Sequence, residues 1–101
     1  MHQTKKNITM DKREKLAMMD KILRELEDLT NSQTSVLKKI GQIEAENINL
    51  GDRFLEKKLP DIYEHADEAL KEATAIHEGY TEVRDKFVKD NKLDEAEAVG
   101  S

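Results

Sequence analysis

Histidines and carboxylates are the side chains of this 101-residue chain best suited to metal or acid–base chemistry. Asp61 and His65 stand four residues apart, a spacing that puts both on one face of a helix and supplies half of a metal site. No second pair with matching spacing accompanies them, and neither His65 nor His77 follows a Glu at the three-residue spacing of di-iron bundles. We therefore interpret Asp61 and His65 as a solvated ion pair.

The other polar segments carry no catalytic motif. Residues 90–97, DNKLDEAE, offer carboxylates but lack the glycine and the alternating ligands of a calcium loop. The sequence has no glycine-rich phosphate loop, no nucleophile elbow and no cysteine, which removes thiolate catalysis and zinc-thiolate sites. We predict a protein that is not an enzyme and that uses no metal and no cofactor.

Composition and charge narrow the class of partner. With 39% charged and 4% aromatic residues, the chain has material for one domain with a small core. Residues 59–101 hold five basic and twelve acidic side chains, and such an acidic surface repels nucleic acid. No apolar run spans a bilayer, so we expect no membrane insertion, and residues 1–15 lack the apolar core of a secretory signal. The sequence predicts a cytoplasmic protein, or one exported without a cleaved signal peptide.

A heptad pattern dominates the first half of the chain. Alternating steps of three and four residues select nine apolar side chains among eleven, with Gln33 and Asn47 as the polar exceptions. This pattern predicts a coiled-coil-like helix over about 11–50, with Asp11 and Glu14 in the capping-box relation at its start. The predicted seam consists of Met19, Ile22, Leu26, Leu29, Gln33, Val36, Ile40, Ile43, Asn47, Leu50 and Phe54.

The seam loses its phase after Phe54, because the same register would next select charged residues. Gly51 suits the residue that ends a helix, and Pro60 suits the first turn of a new one. We therefore predict a bend over 51–59 and a second helix over about 60–90. Its predicted seam consists of Leu59, Ile62, Ala66, Ala69, Ala73, Ile76, Tyr80, Val83 and Phe87.

Two long helices joined by a short break predict an all-α fold, an antiparallel two-helix hairpin within a single domain over 1–101. Flexible tails are expected at 1–10 and 91–101. From the predicted bend, the numbers of facing residues sum to about 109, which pairs Ile22 with Phe87.

A bare hairpin has one internal seam and no covering layer, so the sequence predicts a partner. Apolar side chains beside the seam widen it. The amides of Gln33 and Asn47 either fix the register and the choice of partner or lie at a solvent-exposed edge of the seam. A four-helix bundle would result, completed by another helical protein or, as a dimer, by a second copy. The candidate partner-binding residues are Leu16, Leu23, Gln33, Leu37, Asn47, Tyr63 and Leu70.

The size, the hairpin and a glycine in the bend resemble the ESX, or WXG-type, helical hairpins of type VII secretion and the small helical partners of LXG toxins. Asn49-Leu50-Gly51 stands where the family has Trp-x-Gly. The spacing from Phe87 to Asn91 is similar to the family's aromatic-x-x-x-acid export signal, with an amide in place of the acid. The same spacing from Tyr63 to Asp67 lies at the other end of the second helix. The resemblance implies a co-secreted partner or targeting helper, with Gly51 at the bend and Phe87 in the export signal.

The sequence therefore favours a non-enzymatic helical protein-interaction module, an adaptor or chaperone for a larger helical protein. Two alternatives stay open: a self-assembling structural coiled coil, and an acidic helical regulator or inhibitor that docks a basic surface through residues such as Asp85, Asp90 and Asp94.

Overall fold

The fold is known from a computed structural model, which describes residues 10–94. Two α-helices, α1 (Lys12–Leu50) and α2 (Arg53–Asp90), pack against each other as a hairpin, and residues 10–94 contain no strand. The predicted all-α hairpin is thereby confirmed. Most of both predicted tails, residues 1–9 and 95–101, lies outside the described residues.

The chain divides into two compact units, and each contains one stretch of each helix. Among the described residues, 10–25 and 78–94 belong to the end unit, and Leu26–His77 form the turn unit.

A reciprocal capping box starts α1. The Glu14 N–H donates to Asp11 Oδ1 over 2.8 Å, and the Asp11 N–H donates to Glu14 Oε1 over 3.1 Å. These two bonds satisfy main-chain donors that the first turn of a helix leaves without partners. The predicted relation between Asp11 and Glu14 is confirmed.

The turn between the helices is shorter than the sequence predicts. Gly51 has φ +72°, a left-handed conformation that ends α1 and strains any residue with a Cβ. Asp52 then caps α2, because its Oδ1 accepts a hydrogen bond from the Leu55 N–H over 2.9 Å. Since Asp52 follows Gly51 directly, α2 begins at Arg53, and the predicted bend over 51–59 is wrong. Pro60 lies inside α2 and not in its first turn.

Asn47, in the last turn of α1, stabilises this turn through two hydrogen bonds to Asp52. Its Nδ2 donates to the Asp52 carbonyl over 3.1 Å, and its Oδ1 accepts from the Asp52 N–H over 2.9 Å. The Asn47 side chain is 9% exposed. The Asn47 amide therefore bonds to the turn of its own chain, and its role in partner binding stays a prediction.

Burial along α1 recurs at steps of three and four. It keeps every second residue of the predicted seam from Met19 to Asn47 and replaces the residues between them by those that directly follow. The predicted flank residues Leu16, Leu23 and Leu37 are buried or half-buried, so they belong to the inner row of the hairpin. The inner row of α1 consists of Leu16, Met19, Leu23, Leu26, Thr30, Gln33, Leu37, Ile40, Glu44 and Asn47.

The same exchange occurs on α2. Leu70 is half-buried in the inner row and is not a flank residue, and Tyr63 lies at the margin of that row with 38% exposure. Ala66 and Ala73 are the buried residues of this helix. The inner row of α2 consists of Leu55, Leu59, Tyr63, Ala66, Leu70, Ala73, His77, Tyr80, Arg84 and Phe87.

A cross-helix ion pair fixes the register of the end unit. The Arg84 Nε donates to Asp20 Oδ1 over 2.8 Å, and the numbers of these two residues sum to 104. The predicted sum of about 109 is therefore wrong, because the turn lies at Gly51 and Asp52. The hydrogen bond to Asp20 raises the pKa of Arg84, a shift that burial partly opposes.

Candidate interaction surface

An uncovered row of large apolar side chains follows α1 through the turn unit. Leu29 and Val36 are each 44% exposed, Ile43 is 36% exposed and Leu50 is 72% exposed. These four residues are spaced by seven, so they lie two helical turns apart on one side of α1. The heptad pattern of the sequence predicts these four residues in the internal seam. The structure instead leaves them at the surface.

A matching row follows α2 in the same unit. Ile62 and Ile76 are more than half exposed, and the half-buried Ala69 stands midway between them, again at seven-residue spacing. Both rows stand three residues after positions of the inner row, such as Val36 after Gln33 and Ala69 after Ala66. In two antiparallel helices, the same offset from the inner row points both outer rows to the same side.

A shallow groove joins the two rows. Leu29 of α1 and Ala69 and Ile76 of α2 line it, together with Gln33, Ala73 and the rim residue Glu72. The predicted partner-binding residue Gln33 thus lies in the groove, half-buried between the rows. We call the combined surface the apolar face; it consists of Leu29, Val36, Ile43, Leu50, Ile62, Ala69 and Ile76.

Charged and polar side chains border the apolar face on both edges. Residues that stand three after or four before a member of an outer row lie beside that row on the helix surface. On this criterion Ser32, Lys39 and Glu46 border the face on α1, and all three are exposed. The exposed residues Lys58, His65 and Glu72 border it on α2.

Ile48, near the turn, lies outside the apolar face, because it stands one residue after the inner position Asn47 and so points to the other side of α1. Ile48 is 82% exposed and lines a separate pocket with residues that include Gly51, Leu59 and Pro60. Phe54 is 68% exposed and stands one helical turn before Lys58, at the edge of the apolar face on α2. Because Ile48 does not belong to the apolar face, it serves as a control for general surface hydrophobicity.

The end unit holds the predicted export-signal residues. Phe87 is half-buried and shares a groove with Met10, Met18, Met19 and Tyr80. The Asn91 Nδ2 donates to the Phe87 carbonyl over 2.9 Å, and this carbonyl also accepts from the Asn91 main-chain N–H over 3.1 Å. Leu93 is 6% exposed, so packing in the end unit continues past Asp90 into the predicted tail.

The apolar face suits packing against helices. Residues 10–94 contain no group of three or more His, Cys, Asp or Glu side chains that could hold a metal ion. Neither α1 nor α2 has a stretch long and apolar enough to cross a bilayer. Apolar rows at heptad spacing suit knobs-into-holes packing against other helices.

Comparison of the chain with family models, with curated proteins and with solved structures finds no match.

Proposed function

We propose that this protein is a helical interaction module whose apolar face packs against two further helices and completes a four-helix bundle. The single observation that carries this proposal is the exposed heptad row Leu29, Val36, Ile43 and Leu50. Large contiguous apolar patches are rare on monomeric proteins and mark interaction sites. The module acts by burial of this face, without catalysis.

The choice of row strengthens the proposal. In the turn unit, the inner row of α1 includes Thr30 and Glu44, whereas the outer row is apolar throughout. The hairpin therefore buries the more polar of two available rows and leaves the more apolar one exposed. Covering that row with helices of a partner would add burial of about 1.5–3 kcal/mol for each large side chain that becomes fully covered.

The heptad spacing favours a helical occupant over an extended peptide. Successive members of the row lie about 10.5 Å apart at about 1.5 Å per residue, the repeat with which facing helices interdigitate. Two candidate occupants follow. One is a larger helical protein, in line with the resemblance to type VII secretion partners of the LXG class. The other is a second copy of this chain.

An acidic regulator is a weaker candidate. Among the three aspartates named for that role, Asp85 pairs with Arg84 at 3.2 Å and Asp90 pairs with Lys86 at 3.1 Å. Cations of the same chain therefore already offset part of the charge that a basic partner would meet.

The test is sedimentation analysis of the purified chain, alone and mixed with a helical segment of an LXG-type toxin. Two lysines placed on the apolar face, Val36→Lys with Ile43→Lys, should abolish whichever assembly forms, while the helical circular dichroism of the hairpin is kept. Ile48→Lys is the matched control and should leave assembly intact, although Ile48 is the more exposed residue. Assembly that survives the double lysine variant, or no assembly with either probe, would contradict the proposal.

A further inference from the structure

We propose that the occupant of the apolar face is a second copy of this chain, arranged with both turns at the same end and α1 of each copy against α2 of the other. This inference rests on the proposed function and names its partner. Three observations support it: the heights of the apolar residues along the helix axes of the turn unit, which we call their levels; the charges at the edges of the apolar face; and the size of that face.

The two apolar rows are in register within the hairpin. Leu29 and Ile76 line the same groove, and their numbers sum to 105. The numbers of Val36 and Ala69, and those of Ile43 and Ile62, also sum to 105. In an antiparallel hairpin an equal sum means an equal distance from the turn, so the two residues of each pair lie at the same height along the helix axes. A two-fold axis parallel to the helices keeps levels unchanged and carries α1 of one copy over α2 of the other. Each large residue of α1 then meets the α2 residue of the second copy at its own level.

The bordering charges agree with this axis. Glu46 on α1 and Lys58 on α2 have numbers that sum to 104, so they border the face at nearly the same level. The parallel two-fold axis brings Glu46 of each copy to Lys58 of the other, which makes two unlike-charged pairs. It places Lys39 opposite His65 and Ser32 opposite Glu72, so no like-charged pair forms at these edges.

The opposite arrangement, with turns at opposite ends, places α1 against α1. Centred on the turn unit, it would set Lys39 beside Lys39 of the second copy and His65 beside its own equivalent. Like charges placed opposite each other oppose association. The arrangement with both turns together is therefore favoured.

The face has the size that a stable dimer needs. Residues 26–50 and 53–77 each extend about 37 Å at ~1.5 Å per residue, and two helices side by side are about 20 Å wide, which gives about 700 Å². A standard specific interface buries about 800 Å² on each partner. A second copy that covers the apolar face and its charged edges in the turn unit would thus bury an area close to the usual size.

A charge-exchange experiment tests the arrangement on the full chain, by sedimentation equilibrium at low ionic strength. Glu46→Lys reverses one member of both symmetry-related pairs, so the dimer dissociation constant should rise about tenfold or more, and Lys58→Glu should do the same. The variant with both changes restores unlike pairs and should return to within about threefold of the original value. Lys38→Glu, a reversal on the outward side of α1, should also stay within about threefold.

A dimer in which the double exchange brings no recovery would overturn the proposed arrangement. A chain that stays monomeric at every concentration would overturn the second copy as occupant. In that case the proposed function stands separately, provided that the helical toxin segment binds and that Val36→Lys with Ile43→Lys abolishes this binding.

Discussion

Replacement of Asn47 by alanine should destabilise the hairpin through its turn. The Asn47 side chain makes two hydrogen bonds to the main chain of Asp52, at 2.9 and 3.1 Å. Each such bond contributes about 1 kcal/mol net, so their loss costs about 2 kcal/mol. Alanine is the better helix former by about 0.5 kcal/mol, which leaves a net loss of about 1.5 kcal/mol.

Urea unfolding followed by helical circular dichroism measures this loss. For a small protein, with a dependence of about 1–3 kcal/mol per molar urea, the midpoint should fall by roughly 0.5–1.5 M. Variants must be compared at one protein concentration, because association stabilises the folded chain. Asn47→Asp keeps the acceptor oxygen and loses the donor to the Asp52 carbonyl, so its loss should be smaller.

Asn49→Ala is the matched control. Asn49 is exposed and stands on α1 two residues further along, so its replacement should change the free energy of unfolding by less than about 0.5 kcal/mol. Equal effects of Asn47→Ala and Asn49→Ala would refute the role of the turn bonds. An effect of Asn47→Ala on assembly alone, with an unchanged hairpin, would instead support the partner-binding role predicted from the sequence.

Three further predictions concern single features of the helices. Lys92 has φ +55°, so Lys92→Gly should raise the free energy of unfolding by about 0.5–1 kcal/mol in the same urea assay. Pro60 lies inside α2 and cannot donate to the Glu56 carbonyl, so Pro60→Ala should stabilise the chain by up to about 3 kcal/mol, and a loss of stability would contradict this. Because Arg84 and Asp20 are about one-third exposed, a double-mutant cycle with Arg84→Gln and Asp20→Asn should give a coupling of about 0.5–1 kcal/mol that falls with added salt. Since the pKa of Arg84 is raised, this arginine stays charged at all pH values below its ordinary pKa, and its charge state adds no pH dependence near neutrality.

The sequence predicted the helices and the reversal between them, because apolar periodicity over many heptads identifies helices and a loss of phase identifies a break. The predicted start of α2 at Pro60 is wrong, because α2 is capped by Asp52 and Pro60 lies inside the helix. The sequence does carry a signal for this start, because Asp is a preferred N-cap residue and Asp52 directly follows the glycine that ends α1.

The sequence could not show which apolar row faces inward. On α1, the residues three positions after Met19, Leu26, Gln33 and Ile40 are all apolar, whereas only two of the four residues that stand four positions after them are apolar. Periodicity alone therefore favours the more apolar row. We attribute the observed choice to the turn, because the bonds between Asn47 and Asp52 fix the rotation of α1 about its axis relative to α2. The apolar face is the consequence.

Protection of a single thiol on the apolar face tests the central claim most directly. The chain has no cysteine, so Val36→Cys and Ile48→Cys each introduce one reporter. Burial of the apolar face against helices predicts that the reaction rate of the Val36→Cys thiol with a water-soluble reagent falls as the assembly forms, while that of Ile48→Cys stays constant. A Val36→Cys thiol that reacts equally fast in the dilute chain and in the assembled state would contradict the claim.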